Sequence, residues 1–150
     1  MNVESEHPKI VAARNGEDPA LVCKLASGWV FMCTMQFLSG YCILQSDPTV
    51  PSINALDAAG RAQFLTDMIL VGDALLEVTG AYRVNYVIAG NSDPMLHAHI
   101  VPRYPDEPED LRKGMPWSHP TAYDPATFFD AQRDRELIRK IYDSIKAHST

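Results

Sequence analysis

Residues 57–78 carry the strongest periodic signal in the chain, and that one segment limits what the rest can build. Phe64, Met68, Val71, Leu75 and Val78 recur at three- and four-residue spacing, the period of one helical face. Asp57 stands where an N-cap is needed, glycine and proline are absent from most of the run, and Gly80 follows as a stop. Leu65, Ile69 and Leu76 widen the apolar stripe, whose plain role is to cover a sheet. On either side the pattern is that of strands. Residues 29–35 are aromatic and β-branched, Ser39-Gly40 reads as a turn, and 41–45 completes a hairpin ended by Asp47-Pro48. Residues 82–89 and 96–104 read as two further strands. Paired strands around one long helix predict an antiparallel α+β sheet rather than repeated βαβ crossovers.

The flanks are less regular. The first 27 residues read as a loose lead-in, with short helices at 8–14, begun by Pro8 and stopped at Asn15-Gly16, and at 19–25. Pro102, Pro105, Pro108, Pro116 and Pro120 make a proline-rich stretch before a final amphipathic helix over about 125–148. That helix carries Leu137, Ile138, Ile141, Tyr142 and Ile145 on one stripe, which must dock on its own sheet or across a dimer. No repeat or linker divides the 150 residues, so a single domain over 1–150 is expected, with its core at 28–104 and a C-terminal extension at 105–150.

Composition narrows the class. A net charge of −6, with arginine and lysine scattered singly, argues against nucleic-acid binding. It leaves room for a small anion, because a pocket can be locally positive through backbone N–H groups. No apolar run approaches the roughly 20 residues that span a bilayer. Residues 1–14 are polar, without the apolar core of a signal peptide, and the cysteines are odd in number (Cys23, Cys33, Cys42) with no C-x-x-C pair. A soluble cytoplasmic protein with reduced thiols is the expectation. The cysteines are spaced too widely for a structural zinc site.

The chemistry sits in the last strand. His97 and His99 are separated by one alanine, so both project from one strand face, about 6.8 Å apart along the chain. Such a pair can be a metal half-site, a packed pair, or a nucleophile with its assistant. The turn just upstream, Gly90-Asn91-Ser92-Asp93-Pro94, offers backbone freedom, an amide, a hydroxyl and a row of N–H groups, the parts that hold a phosphate beside a nucleophile. Pro102-Arg103 follows downstream, and Arg103 suits a carboxylate of the proline-rich tail as well as it suits a substrate.

The run Met95-Leu96-His97-Ala98-His99-Ile100-Val101-Pro102-Arg103 resembles the motif of the histidine triad family, His-φ-His-φ-His-φ-φ with φ apolar, often followed by Pro-Arg. Gly90-Asn91-Ser92 resembles the family's Gly-Gln-Ser/Thr segment, and Tyr41-Cys42-Ile43-Leu44 after Ser39-Gly40 resembles its Pro-Gly-His strand. The resemblance covers about residues 28–104. Two positions depart from it: Met95 replaces the first histidine and Asn91 the usual glutamine.

The resemblance implies a nucleotidyl hydrolase or transferase in which His97 attacks the α-phosphate, a nucleotidyl-histidine forms, and His99 donates to a phosphate oxygen or the leaving group. Ser92 and Asn91 would stabilise charge on the phosphate, Asn85 would face the phosphate or leaving group, and Gln36 would touch ribose. The substrates implied are dinucleoside polyphosphates or nucleoside phosphoramidates. No cofactor is required beyond a divalent cation brought with the substrate, and a homodimer forms through the long helix and a neighbouring strand. The replacement of the first histidine supports an alternative, a non-catalytic nucleotide-binding or regulatory protein. A third reading has His97, His99 and a carboxylate such as Asp93 binding a metal. His7, His119 and His148, in loop or terminal context, are expected to be solvated, and Trp117 is either a stacking lid or a docking residue for the tail.

Overall fold

The computed structural model describes residues 6–149. A short helix α1 (Pro8–Arg14) leads into three strands, β1 (Leu21–Leu25), β2 (Gly28–Met32) and β3 (Cys42–Ser46). The long helix α2 (Ala58–Thr79) precedes β4 (Arg83–Val87) and β5 (His97–Arg103), and the chain ends with α3 (Glu109–Arg112) and α4 (Arg135–His148). The strands form one antiparallel sheet in the order β1-β2-β3-β5-β4, an α+β architecture.

The sequence places α2 well. The Asp57 carboxylate accepts the Gly60 N–H at 2.7 Å, and Gly80 closes the helix in the left-handed conformation at φ 76°. Phe64, Val71 and Leu75 are sealed against the sheet together with Ala98 and Ile100 of β5 and Cys42 and Leu44 of β3. Gly72, in mid-helix, is there for close approach, since a Cβ at that position would lie 1.9 Å from the Tyr86 hydroxyl. Leu65, Ile69 and Leu76 face outward. The terminal helix docks on its own chain, with Ile141 and Ile145 in the main core and the Ser144 hydroxyl donating to Glu77 of α2.

Three expectations fail. Residues 19–25 form no helix: a turn at 19–20 leads into the strand Leu21–Leu25. Leu21, Val22 and Leu25 satisfy both periods, and the tight turn Ala26-Ser27 pairs Leu25 with Gly28, held to α2 by two Ser27 hydrogen bonds to Asp67. The sheet therefore begins before residue 28. The final helix starts at Arg135, not near 125, because the preceding residues bond elsewhere: Phe129 N–H donates to the Thr34 carbonyl and Gln36 N–H to that of Thr127. The strand expected over 29–35 stops at Met32, and Met35 bridges Phe128 instead.

Alternation along β5 divides its side chains. Ala98 and Ile100 face the helices, and His97, His99, Val101 and Arg103 face the other way. The neighbouring strands bring Gln45 opposite His97, and Ile43 and Val87 opposite His99.

Candidate active site

His97 and His99 open on a cavity of about 610 Å³ lined also by Gly90, Asn91, Ser92 and Asp93. Its volume is that of a small-molecule site. The two rings lie 4.9 Å apart at 70°. Each is held by one nitrogen. His97 Nδ1 lies 2.7 Å from the Met95 carbonyl, which can only accept, so the proton sits on Nδ1 and the Nε2 lone pair is left open. His99 Nδ1 lies 2.5 Å from the hydroxyl of Tyr41, a fully buried side chain. Burial, and the adjacent His97, push the His99 imidazole down to about 4, so near neutral pH it is uncharged. Burial also raises the Tyr41 hydroxyl well above its ordinary value, so it keeps its proton to donate.

Asn91 and Ser92 stand exposed at the rim, and among the described residues their side chains make no hydrogen bond. The apolar part of the lining includes Phe31, Met35, Ile43 and Trp117. Trp117 docks the tail and lines the cavity. It packs in a small core with Tyr41 and Val101, and its ring stands edge-on to His99 at 5.4 Å.

Two of the expected substrate contacts are committed elsewhere. Gln36 is buried, its amide donating to the carbonyls of Cys33 and Tyr41 and accepting the Gly40 N–H, so it shapes the turn before β3 and is not part of the cavity lining. Asn85 accepts from Arg103 at 2.9 Å and likewise lies outside the lining. Arg103 itself is sealed, bonded to Glu107, Asn85 and three backbone carbonyls, which settles it on the tail carboxylate.

Two histidines expected in solvent are not there. The His119 ring bonds Glu107 at 2.6 Å with its side chain 9% exposed. His7 bonds Asp93 at 2.9 Å and lines the cavity. Asp93 also accepts the Met95 N–H, so it is not aimed at a metal between the two histidines, and no group of three His, Cys, Asp or Glu side chains converges among the described residues. Sequence reasoning also missed Gln45, whose amide donates to the Leu96 carbonyl beside His97, and Lys9, the only lysine or arginine in the lining among the described residues. Only the strand register could have pointed to Gln45.

No family model and no curated protein matches the sequence. Solved structures do match. A histidine triad protein from Bradyrhizobium japonicum is 25% identical, with 89% of this chain and 95% of that one covered, at a TM-score of 0.67. A histidine triad protein from Marinobacter aquaeolei VT8 is 16% identical over 94% of this chain and 95% of its own, at 0.70. A hypothetical histidine triad nucleotide-binding protein from Sulfolobus tokodaii is 16% identical over 93% and 92%, also at 0.70. The chain has the histidine triad fold.

Proposed function

We propose, taking the histidine triad fold as premise, that the protein is a nucleotidyl hydrolase or transferase acting on the α-phosphate of a nucleotide conjugate. The observation that carries this is two adjacent imidazoles on one cavity, each held at Nδ1: with the Met95 carbonyl accepting from His97, its Nε2 offers a lone pair, and with the Tyr41 hydroxyl as donor to His99, that ring's Nε2 offers a proton. Nucleophile and hydrogen-bond donor stand side by side without any change of charge.

In the reaction, His97 Nε2 forms a bond to phosphorus as the bond to the leaving group breaks, and the electron pair departs with that group. His99 donates a hydrogen bond to a non-bridging oxygen. Full transfer of its proton would leave an imidazolate, so it stabilises charge rather than acting as the acid. Ser92, Asn91 and the N–H groups of their turn meet the remaining oxygens. The departing anion takes its proton from solvent. Water then adds its oxygen to phosphorus as the P–N bond breaks, the electron pair returns to His97 Nε2, and the two water protons pass to solvent.

The substrate is a nucleotide conjugate of the dinucleoside polyphosphate or phosphoramidate type, bringing at most its own divalent cation. The second reading, a nucleotide-binding protein without turnover, is favoured by one feature, Met95 in place of the motif's first histidine. The outward Leu65, Ile69 and Leu76 of α2, with Tyr86 and Ile88 exposed beside the sheet edge, support a homodimer through that face. Three unpaired, buried cysteines support a cytoplasmic setting, and no helix among the described residues is long and apolar enough to cross a membrane.

The test is turnover of a fluorogenic adenosine phosphoramidate and of diadenosine polyphosphates by wild type, His97→Ala and His99→Ala. The enzyme reading expects loss of at least about 1,000-fold at 97 and a smaller loss, on the order of 100-fold, at 99. Tight nucleotide binding with no turnover in any variant would establish the second reading.

A further inference from the structure

The cavity holds a third imidazole that the mechanism above does not use. His7 lies 86 residues from Asp93 in sequence, yet its ring lines the same space as His97 and His99, with its side chain 15% exposed. His7 is the N-cap of α1, and Pro8 follows at the first helical position. The cap places the ring: the Lys9 N–H donates to Nδ1 at 3.2 Å, so the ring's own proton is carried on Nε2.

From there an unbroken series of contacts runs to the nucleophile. His7 Nε2 donates to Asp93 Oδ2 at 2.9 Å. Asp93 Oδ1 accepts the Met95 N–H at 3.1 Å. The Met95 carbonyl accepts the His97 Nδ1–H at 2.7 Å, and that bond decides which nitrogen of His97 is left to attack. Partial burial works against ionisation of Asp93, but the bonds from His7 and Met95 and the nearness of His97 outweigh it and hold the carboxyl below its ordinary range, so it stays an acceptor on both oxygens. The Met95 side chain ends in a thioether, a weak acceptor with no proton to give, so the orientation of its backbone depends on what surrounds it. Val50 holds the next N–H, that of Leu96, at 2.7 Å, and Asp93 holds the one before.

We propose that His7 is a positioning residue for His97, acting through Asp93 and the Met95 backbone, so that the N-terminal helix sets the aim of the nucleophile. Both ring nitrogens of His7 are occupied, which excludes direct proton delivery to a substrate without breaking one of these bonds. The kinetic part of the proposal rests on the nucleotidyl-transfer reading. The hydrogen-bonding part does not.

The experiment compares wild type, His7→Ala and His7→Gln by steady-state turnover of a fluorogenic adenosine phosphoramidate and by nitrogen-15 NMR of the His97 ring. Gln retains an N–H to donate to Asp93 and cannot titrate. His7→Ala is expected to lower kcat about 10-fold with KM within about two-fold, a misplacement effect. It is also expected to broaden the His97 Nδ1–H signal, and His7→Gln to recover both. Wild-type kcat and an unchanged His97 ring in His7→Ala overturn the proposal. So does a loss confined to KM, which would make His7 part of a substrate wall, or a Gln variant as impaired as Ala with the ring signal intact. A wild type that turns over none of these substrates overturns the functional reading instead, and the ring spectra then decide the relay alone.

Discussion

The two ends of one strand face treat buried polar groups in opposite ways. At the start of β5, His97 and His99 each have one nitrogen bonded and the other facing the cavity. At its end, Arg103 is 2% exposed, and each of its three nitrogens is bonded, to Glu107, to Asn85 or to carbonyls of residues 111–114. The difference follows from charge. A guanidinium cannot shed its proton, so burial demands a full set of acceptors. A neutral imidazole needs one donor and one acceptor, and a nitrogen left open toward a cavity costs little. Reactivity is kept where hydrogen bonding is incomplete, and stability comes from where it is complete. Asn85, which the resemblance assigned to substrate, is drawn into the sealed end.

The sealed end gives the largest expected effect on stability. Arg103→Met leaves Glu107 buried without its main partner and releases the carbonyls that tie 105–114 to β5, and about 3–5 kcal/mol should be lost in urea unfolding. His97→Ala, on the same strand face, should cost about 1 kcal/mol or less while abolishing turnover. Equal losses at the two ends would break the comparison.

Much of this division was visible in the sequence, for identifiable reasons. The spacing of His97 and His99 fixed them to one face, because strand geometry is local, and Asp57 and Gly80 bounded α2 because caps are local too. The cradle turn was found with its residues at the rim. What stayed hidden depends on register or on distance. Tyr41 reaches His99 only because β3 pairs Ile43 with His99. His7 meets Asp93 across 86 residues, with nothing in either neighbourhood to mark it. Gln36 and Asn85 looked available because a polar side chain shows no sign in sequence of the acceptors and donors that will occupy it. Residues 19–25 fitted either period until β2 paired with them.

Tyr41→Phe sharpens the open end. The substitution keeps the packing and removes one hydroxyl, so fold and stability should change little. Without that donor, the His99 ring divides its proton between two nitrogens, and kcat should fall about 10-fold, the equivalent of one hydrogen bond of about 1.4 kcal/mol. Nitrogen-15 spectra of the His99 ring give the direct measurement. A ring that keeps its proton wholly on Nε2 in Tyr41→Phe would show that Tyr41 does not set the tautomer, and a wild-type ring protonated on Nδ1 would show that Tyr41 accepts rather than donates.

The smallest effect separates the two ends by pH. In the folded protein His99 is held at about 4, against an ordinary value of 6.5. Between those values the unfolded chain binds the proton and the folded one does not, so stability is complete above 6.5 and declines as pH falls toward 4. Glu107 behaves differently. Burial works against its charge, but Arg103, the Tyr104 N–H and His119 hold it below its ordinary 4.5, so its contribution is complete down to about pH 4.5, while His99 is already losing ground, and is lost only as the pH falls further. Thermal melts from pH 7 to 5 should show a fall in Tm of about 2–4 °C, the size expected for roughly 1 kcal/mol in a chain of this length. His99→Gln should flatten that slope and leave the steeper loss below pH 4.5, which Glu107 shares with the other paired carboxylates. A slope unchanged in His99→Gln would mean that native His99 takes up its proton as readily as the unfolded chain does, and the contrast between the two ends would then be one of partners alone.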